Sequence, residues 1–188
     1  MKRTALLLLP AAAALALTAC SSDGDSYSVY DPSDLSCATT PAPADTKPEW
    51  TVKGATGEAQ IAPATKEHGP FIKVDKPFTV TDTEVKTLVE GDGPEVAATD
   101  TVYVCYEGVN GRSGEVFDSA YQRGQATDFP VSGVVPGFQK ALIGQKGGSS
   151  VAVVMTPADG YGPMGGNPPA ILADDTLIFE LKIAKVGE

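Results

Sequence analysis

Apolar and polar residues partly alternate along the C-terminal part of the chain, with the two-residue period of β-strands. Turn sequences separate these segments, among them Gly91-Asp92-Gly93-Pro94 and Asn110-Gly111. Val, Thr, Ile and Tyr, which favour strands, are frequent within them. The pattern predicts antiparallel strands over residues 78–80, 84–89, 101–107, 150–156 and 176–186.

One segment has the pattern of a short helix instead. Pro136 begins it, Gly144 follows it, and Phe138 and Leu142 lie four residues apart on one face of residues 137–143. Several antiparallel strands with a single short helix predict an α+β domain, in which the helix packs on one face of the sheet.

The segment before this domain has a different composition. Seven prolines between Pro32 and Pro77 interrupt any helical or strand period. We therefore expect residues 20–76 to be mostly a tether and residues 77–188 to be the folded domain. The apolar piece at residues 69–74 leaves a second interpretation open, in which it packs along the domain as an added edge strand.

The N-terminus predicts export. Lys2 and Arg3 precede an apolar stretch at residues 6–17 that is too short to span a bilayer as a helix. Residues 17–20, Leu-Thr-Ala-Cys, resemble the bacterial lipobox, in which the cysteine receives a diacylglyceryl group. We expect a signal peptide over residues 1–19 and an extracytoplasmic protein anchored to the bacterial cell membrane through acyl chains such as palmitate on Cys20. The alternative is an ordinary signal peptide with a cysteine incidentally near the cleavage site.

Charge narrows the range of partners. Removal of Lys2 and Arg3 with the signal reduces the 14 basic residues to 12, against 24 acidic ones, a net charge of about −12. Such a surface repels phosphate backbones, which argues against nucleic-acid binding. The chain has room for one domain of ordinary size, and we expect a monomer.

A spaced set of aromatic, acidic and small residues runs through the predicted domain. Its segments read TVYVCYEG, GEVFDSAYQRG, DFPVSGVVPGF, VVMTPADGYG and DTLIFELKI. In order and approximate spacing, these segments resemble the FKBP-type peptidyl-prolyl cis-trans isomerases over residues 78–186. The resemblance implies a curved antiparallel sheet of about five strands wrapped around one short helix, with a pocket between them.

The resemblance also implies an activity. Rotation about an X-Pro bond crosses a barrier of about 18–20 kcal/mol, and a dry aromatic pocket favours the twisted state. No cofactor, metal or nucleophile is expected. The expected partners are proline-containing segments of unfolded secreted proteins, with a macrolide as pocket inhibitor.

Individual roles follow from the matched positions. Four residues are expected to position the twisting bond, namely Tyr106, Asp118, the backbone N–H of Val135, and Tyr161. Arg123 is expected to pair with Asp118 or Tyr106. The residues expected to contact substrate are Phe117, Arg123, Phe129, Val134, Phe138, Ile171 and Phe179. Taken singly, Phe117, Val134 and Phe179 would also be expected in the core of an ordinary β-rich domain. Asp118 and Arg123 could likewise form a solvated ion pair on a loop.

Two positions depart from the family pattern. Thr127 and Asp159 stand where relatives commonly have aromatic residues. The altered rim leaves open a catalytically weak binding module or holdase chaperone as the alternative function.

Two cysteines remain once Cys20 is acylated. Strand alternation points Cys105 away from Tyr106, towards the face opposite the pocket. An oxidising compartment permits a disulfide between Cys37 and Cys105, which would hold the tether against the back of the sheet. Otherwise Cys105 is a small apolar strand residue.

Overall fold

The computed structural model describes residues 30–162, 165–166 and 168–187. The expected signal peptide and Cys20 lie outside these residues. Within them, no helix combines the length and the apolar character needed to cross a bilayer. The elements are β1 (Trp50–Lys53), β2 (Thr56–Ala62), β3 (Phe71–Thr79), β4 (Glu84–Val89), β5 (Thr101–Asn110), β6 (Val116–Ser119), α1 (Ala120–Arg123), β7 (Thr127–Pro130), α2 (Pro136–Leu142), β8 (Ser150–Met155) and β9 (Leu177–Gly187).

The principal sheet of the described chain has the order β4-β8-β9-β5-β6, and β7 also pairs with β5. Its strand pairs are antiparallel. The central pair β5–β9 runs from Thr101 opposite Gly187 to Asn110 opposite Leu177. The expected α+β architecture, with an antiparallel sheet packed on one short helix, is confirmed.

Helix α2 covers one face of this sheet. Pro136 opens it at a position where a missing N–H costs nothing, and Gly144, with φ of 81°, follows its end. Phe138, Ala141 and Leu142 are buried against the sheet. Gly137 also lies on this side, where a Cβ would fall within 3 Å of Met155, so glycine permits the close approach of α2 to β8.

Strand β8 is buried along its whole length. Val151, Val153 and Met155 join the core beneath α2. Ala152 and Val154 point the other way, into a second core. Both faces of the sheet are therefore covered here, which explains why the apolar run in β8 lacks polar alternation.

The structure corrects the expectation that residues 20–76 are mostly a tether. Residues 50–79 form a separate antiparallel sheet in the order β1-β2-β3, so the expected boundary at residue 77 lies inside β3. The prolines do not prevent strand formation, because most of them flank strands. Pro48 and Pro70 stand just before strands, and Pro63 stands just after one. Pro77 lies within β3, but β3 is an edge strand, where a missing backbone donor is tolerated.

The two sheets are held together by apolar packing. Val52, Ile61 and Phe78 of the smaller sheet share a core with Val154 and Ile178 of the larger one. Residues 71–74 do pack on the domain, as the open interpretation of residues 69–74 had it, but they belong to the edge strand of the smaller sheet and not to the principal sheet.

The segment before β1 also contacts the domain. Cys37 and Cys105 form a disulfide with a Cα–Cα distance of 5.6 Å, so the bridge left open by the sequence is present. Further along the domain, the Tyr30 N–H donates to Asp92 over 2.7 Å, and the Tyr30 hydroxyl accepts from the N–H of Val186 over 3.1 Å. The described part of this segment is thus bound to the domain rather than extended from it.

Candidate active site

Five aromatic rings meet between the principal sheet and α2. Phe138 lies at the centre, with its ring centroid 5.2 Å from that of Phe179, 5.7 Å from Phe129 and 6.1 Å from Tyr106. Phe117 continues the cluster, 5.4 Å from Phe179. These pairs are edge-to-face, the arrangement that ring quadrupoles favour. The sequence places the five rings on four strands and one helix, and the fold gathers them into one apolar wall.

A glycine, Gly108, makes room for the close contact between the Phe117 and Phe179 rings. Gly108 lies on β5, on the same face as Tyr106, and a Cβ there would fall within 3 Å of the rings of Phe117 and Phe179. A larger residue would force these rings apart. Nothing in the local sequence around Gly108 marks it as part of the site.

A polar network forms one edge of the aromatic wall. The Tyr106 hydroxyl donates to Asp118 Oδ2 over 2.5 Å, and Arg123 donates to Asp118 Oδ1 over 2.6 Å and to the Tyr106 hydroxyl over 2.9 Å. Arg123 thus pairs with both of its expected partners. Its guanidinium carbon also lies 5.5 Å from the centroid of the Tyr106 ring.

The network has a defined protonation state. Partial burial acts to raise the pKa of Asp118, but hydrogen bonds from Tyr106 and Arg123 and the Arg123 charge hold that pKa below its usual value. Burial, with the hydrogen bond to Asp118, raises the pKa of Tyr106 to about 12. Near neutral pH, Asp118 is therefore an anion and Tyr106 a neutral donor.

The start of α2 supplies a backbone donor at the edge of the wall. Val135 is the residue before the helix, and its carbonyl accepts from the N–H groups of Phe138 and Gln139. The Gln139 side chain donates to the carbonyl of Val134 over 2.8 Å, which fixes the turn. N–H groups at a helix start lack intrahelical acceptors, so the Val135 N–H is suited to a ligand carbonyl. Val134 and Val135 both pack against the aromatic core.

Tyr161 and Ile171 approach from the segment between β8 and β9. Ile171 is buried in the aromatic core, whereas Tyr161 remains 43% exposed. The Tyr161 ring packs against Gly166, where a Cβ would lie 2.9 Å from it. Partial burial and then the Asp118 charge raise the pKa of Tyr161, so its hydroxyl keeps the proton that it would donate.

An ion pair between the buried Asp175 carboxylate and the partly exposed Arg112 holds the Ile171 segment in place. Asp175 accepts from Arg112 Nε over 2.8 Å and from Asn110 Nδ2 over 2.6 Å, and Asn110 also donates to the carbonyl of Ala170. These contacts join the β5–β6 turn to the loop before β9. The local sequence does not reveal these contacts, because Asp175 lies more than sixty residues from Asn110 and Arg112.

The two unusual rim positions have polar contacts. Thr127 accepts from Arg123 over 3.4 Å, while Phe129, two residues later, supplies the ring that packs on Phe138 and Tyr106. Asp159 pairs with Lys140 of α2, with 2.6 Å between the charged atoms. The rim thus has an ion pair at a position where the resemblance implies an aromatic ring.

In the described part of the chain, His, Cys, Asp and Glu side chains form no group of three or more that could hold a metal ion. Ten of the eleven residues expected at the site are joined by ring contacts, by the polar network or by packing in the aromatic core, and Tyr161 lies close enough for the Asp118 charge to affect its pKa.

Comparison with known proteins agrees with this geometry. Residues 93–184 match the family model described as FKBP-type peptidyl-prolyl cis-trans isomerase. The chain is 36% identical over 98 residues to a probable FK506-binding protein of Corynebacterium glutamicum, across 52% of this chain and 81% of that protein. It is 37% identical over 105 residues to the peptidyl-prolyl cis-trans isomerase Mip of Coxiella burnetii, across 55% of this chain and 44% of that protein. The chain thus spans less than half of the Coxiella protein.

Two solved structures share the fold. One is the crystal structure of FkpA from Escherichia coli, with a TM-score of 0.50 and 32% identity across 56% of this chain and 47% of that one. The other is a peptidyl-prolyl cis-trans isomerase from Pseudomonas syringae, with a TM-score of 0.51 and 26% identity across 56% of this chain and 76% of that one. Strands β1–β3 precede the residues that match the family model.

Proposed function

Because the chain belongs to the FKBP-type peptidyl-prolyl cis-trans isomerase family, we propose that it accelerates rotation about X-Pro bonds during the folding of secreted or cell-envelope proteins. Relatives named peptidyl-prolyl cis-trans isomerases occur in Coxiella burnetii, Haemophilus influenzae and Escherichia coli. The domain is accordingly a peptidyl-prolyl cis-trans isomerase domain.

The proposal depends chiefly on the aromatic wall. A proline ring packed on Phe138 would lie among Tyr106, Phe129 and Phe179, where little water could solvate the adjoining amide. A planar amide carries more separated charge than a twisted one, because the twist breaks resonance. An apolar site therefore disfavours the planar ground state relative to the transition state, and each tenfold gain in rate needs only about 1.4 kcal/mol.

The polar groups at the border would orient the peptide. The Val135 N–H and the Tyr161 hydroxyl are donors for substrate carbonyls on either side of the proline. The Asp118 carboxylate, held by Tyr106 and Arg123, would lie beside the carbonyl that rotates. None of these groups forms or breaks a bond with the substrate; they fix its position while the amide turns.

The location of the protein is also proposed from several features. The N-terminal sequence supports export, and the Cys37–Cys105 disulfide supports an oxidising, extracytoplasmic compartment. We propose that residues 1–19 are removed and that Cys20 carries the lipid anchor. Labelled palmitate should enter the wild-type protein and not a Cys20→Ala variant. Incorporation into that variant would exclude Cys20 as the anchor.

The activity test is the isomerisation rate of an X-Pro tetrapeptide with the purified protein, with and without FK506, which two relatives are named for binding. We expect acceleration that FK506 abolishes. Asp118→Ala and Phe138→Leu should both lower kcat/KM, whereas Tyr103→Phe, a control on β5 outside the aromatic wall, should not. A folded protein without acceleration would exclude the enzyme and favour the binding module or holdase.

The holdase alternative has its own measurement. Thr127 and Asp159 are the residues that favour it, because they replace apolar area at the rim. Suppression of aggregation of an unfolded client, unchanged by FK506 and by Phe138→Leu, would indicate a client-binding surface outside the pocket. Suppression that FK506 abolishes would indicate binding through the pocket itself.

A further inference from the structure

The short helix α1 carries the polar edge of the pocket at its two ends. Asp118 stands two residues before Ala120, the first residue of α1, and Arg123 is its last residue. The helix has only four residues, and one turn of helix is not stable by itself in water. The Asp118 and Arg123 side chains are 45% and 48% exposed, so their ion pair contributes little to fixing it. The position of α1 must depend on other contacts.

Those contacts lie on the opposite side of the sheet from the pocket. Tyr121, in the middle of α1, is only 4% exposed, and its hydroxyl donates to Glu180 Oε2 over 2.8 Å. Glu180 is fully buried on β9, and its other oxygen accepts from the N–H of Ala64 over 3.3 Å. It follows Phe179 directly, so the two side chains point to opposite faces of the strand.

A second contact fixes the start of α1. Ser119 accepts from the N–H of Gln122 over 3.2 Å as the helix cap, and its hydroxyl donates to Glu107 over 3.1 Å. Glu107 lies opposite Ser119 in the β5–β6 pairing and next to Tyr106. Both the cap and the centre of α1 are thus bonded to carboxylates on the back of the sheet.

The N-terminal segment closes over the same region. The Cys37 N–H donates to the carbonyl of Gly124 over 3.1 Å, and the Ala126 N–H donates to the carbonyl of Leu35 over 2.9 Å. The residues that make these bonds, Gly124 and Ala126, come just after Arg123 in the chain. The disulfide joins the same segment to Cys105, the neighbour of Tyr106.

From these contacts we propose that Tyr121 is a positioning residue of the isomerase: its buried hydrogen bond to Glu180 holds α1 so that Asp118 and Arg123 stay aligned with Tyr106. The inference rests on the proposed isomerase activity. Tyr121 does not touch the substrate. It acts through α1, since a shift of that helix moves the carboxylate and the guanidinium together and separates them from the Tyr106 hydroxyl.

The test is a double-mutant cycle on the purified protein. Tyr121→Phe removes only the hydroxyl and should lower kcat/KM for the X-Pro tetrapeptide about three- to tenfold, the effect of one hydrogen bond. In an Asp118→Ala background the same substitution should change kcat/KM less than about twofold, because the group that it positions is already absent. Tyr103→Phe is the matched control and should leave kcat/KM unchanged in both backgrounds.

Stability separates positioning from general damage. Tyr121→Phe should lower the thermal midpoint equally in both backgrounds, while its effect on kcat/KM should differ between them. All rates are measured well below the midpoint of every variant. Should Tyr121→Phe fail to fold, Glu180→Gln weakens the same bond while keeping the Tyr121 side chain and nearly the same shape at position 180. Its effect on kcat/KM should show the same dependence on Asp118.

Two results would overturn the inference. One is an active wild-type protein whose kcat/KM is unaffected by Tyr121→Phe. The other is an equal loss of kcat/KM in the presence and absence of Asp118, which would mean that Tyr121 affects activity independently of Asp118. An inactive but folded wild-type protein would instead overturn the proposed function.

Discussion

Lys140 on α2 and Asp159 in the 3₁₀ turn after β8 form an ion pair with 2.6 Å between Nζ and Oδ2. The helix also carries Phe138, and the turn leads into Tyr161, so the pair joins two sides of the pocket. The pKa of Asp159 lies below its usual value because Lys140 and then Thr83 hydrogen-bond to the carboxylate.

We expect this ion pair to affect substrate binding more than turnover. Asp159→Asn should raise KM about two- to threefold and leave kcat nearly unchanged, since a partly exposed pair contributes little free energy. The reversed pair, Lys140→Asp with Asp159→Lys, should restore KM. Initial rates over a range of tetrapeptide concentrations give both constants, and a fall in kcat without a change in KM would refute this role.

The protonation states of Asp118 and Tyr106 predict a flat pH profile for the isomerase. The Asp118 pKa is lowered and the Tyr106 pKa is raised to about 12, so neither group titrates between about pH 5 and 9. Glu180 can accept from the Tyr121 hydroxyl in either protonation state, so kcat/KM should be constant over that range and fall only in acid, as Asp118 takes up a proton. Asp118→Asn should be slower and lack the fall. A bell-shaped profile centred near neutrality would show that another group controls the rate.

Glu180 should make stability depend on pH. Burial raises the pKa of Glu180 to about 7, above its ordinary 4.5, although Tyr121, Ala64 and Lys182 favour the carboxylate; Glu107 adds to the rise. The native state therefore holds a proton that the unfolded state releases. The contribution of this proton to the free energy of unfolding is complete below pH 4.5 and is lost as the pH rises through 7.

The Glu180 effect can be measured by urea unfolding between about pH 5 and 8, a range above the acid titration of the lowered aspartates. The unfolding free energy should fall across this range in the wild type, and Glu180→Gln should flatten the slope. Glu84→Gln, an exposed change on β4, is the control. An identical slope in wild type and Glu180→Gln would remove Glu180 as the cause.

The Cys37–Cys105 disulfide should contribute substantially to stability. It closes a loop of 68 residues, which in the chain-entropy account contributes about 4 kcal/mol. Replacement of both cysteines by alanine should lower the unfolding free energy by about 2–4 kcal/mol in urea. Dithiothreitol should lower the wild-type midpoint and leave the double variant unchanged. A wild type indifferent to reduction would contradict the expected stabilisation.

The sequence predicts those parts of the fold that have strong local patterns. Strands β4, β5, β8 and β9 and helix α2 lie within a few residues of their expected positions, because alternation and a proline–glycine frame mark them. The aromatic wall is predicted through the family resemblance, which the order and joint spacing of residues such as Tyr106, Phe117 and Phe138 carry more specifically than any single residue does.

The remainder depends on contacts between distant residues. Strands β1–β3 are short and proline-flanked, and their burial depends on a partner sheet that the local pattern does not reveal. Tyr121 and Glu180 are 59 residues apart, and only the pairing of β5 with β9 brings them together. Lys140 and Asp159 are also brought together by the fold, across the pocket rather than along a strand.

The shortest fragment of this chain that can be purified as a folded protein must include the smaller sheet. A fragment starting at residue 93, where the family match begins, would leave Ala152, Val154 and Ile178 facing water. It would also lack β4, so β8 would become an edge with unpaired backbone groups. An apolar face beside an open edge is a template for self-association. Aggregation of such a fragment would therefore reflect its missing N-terminal half and not an unstable family domain.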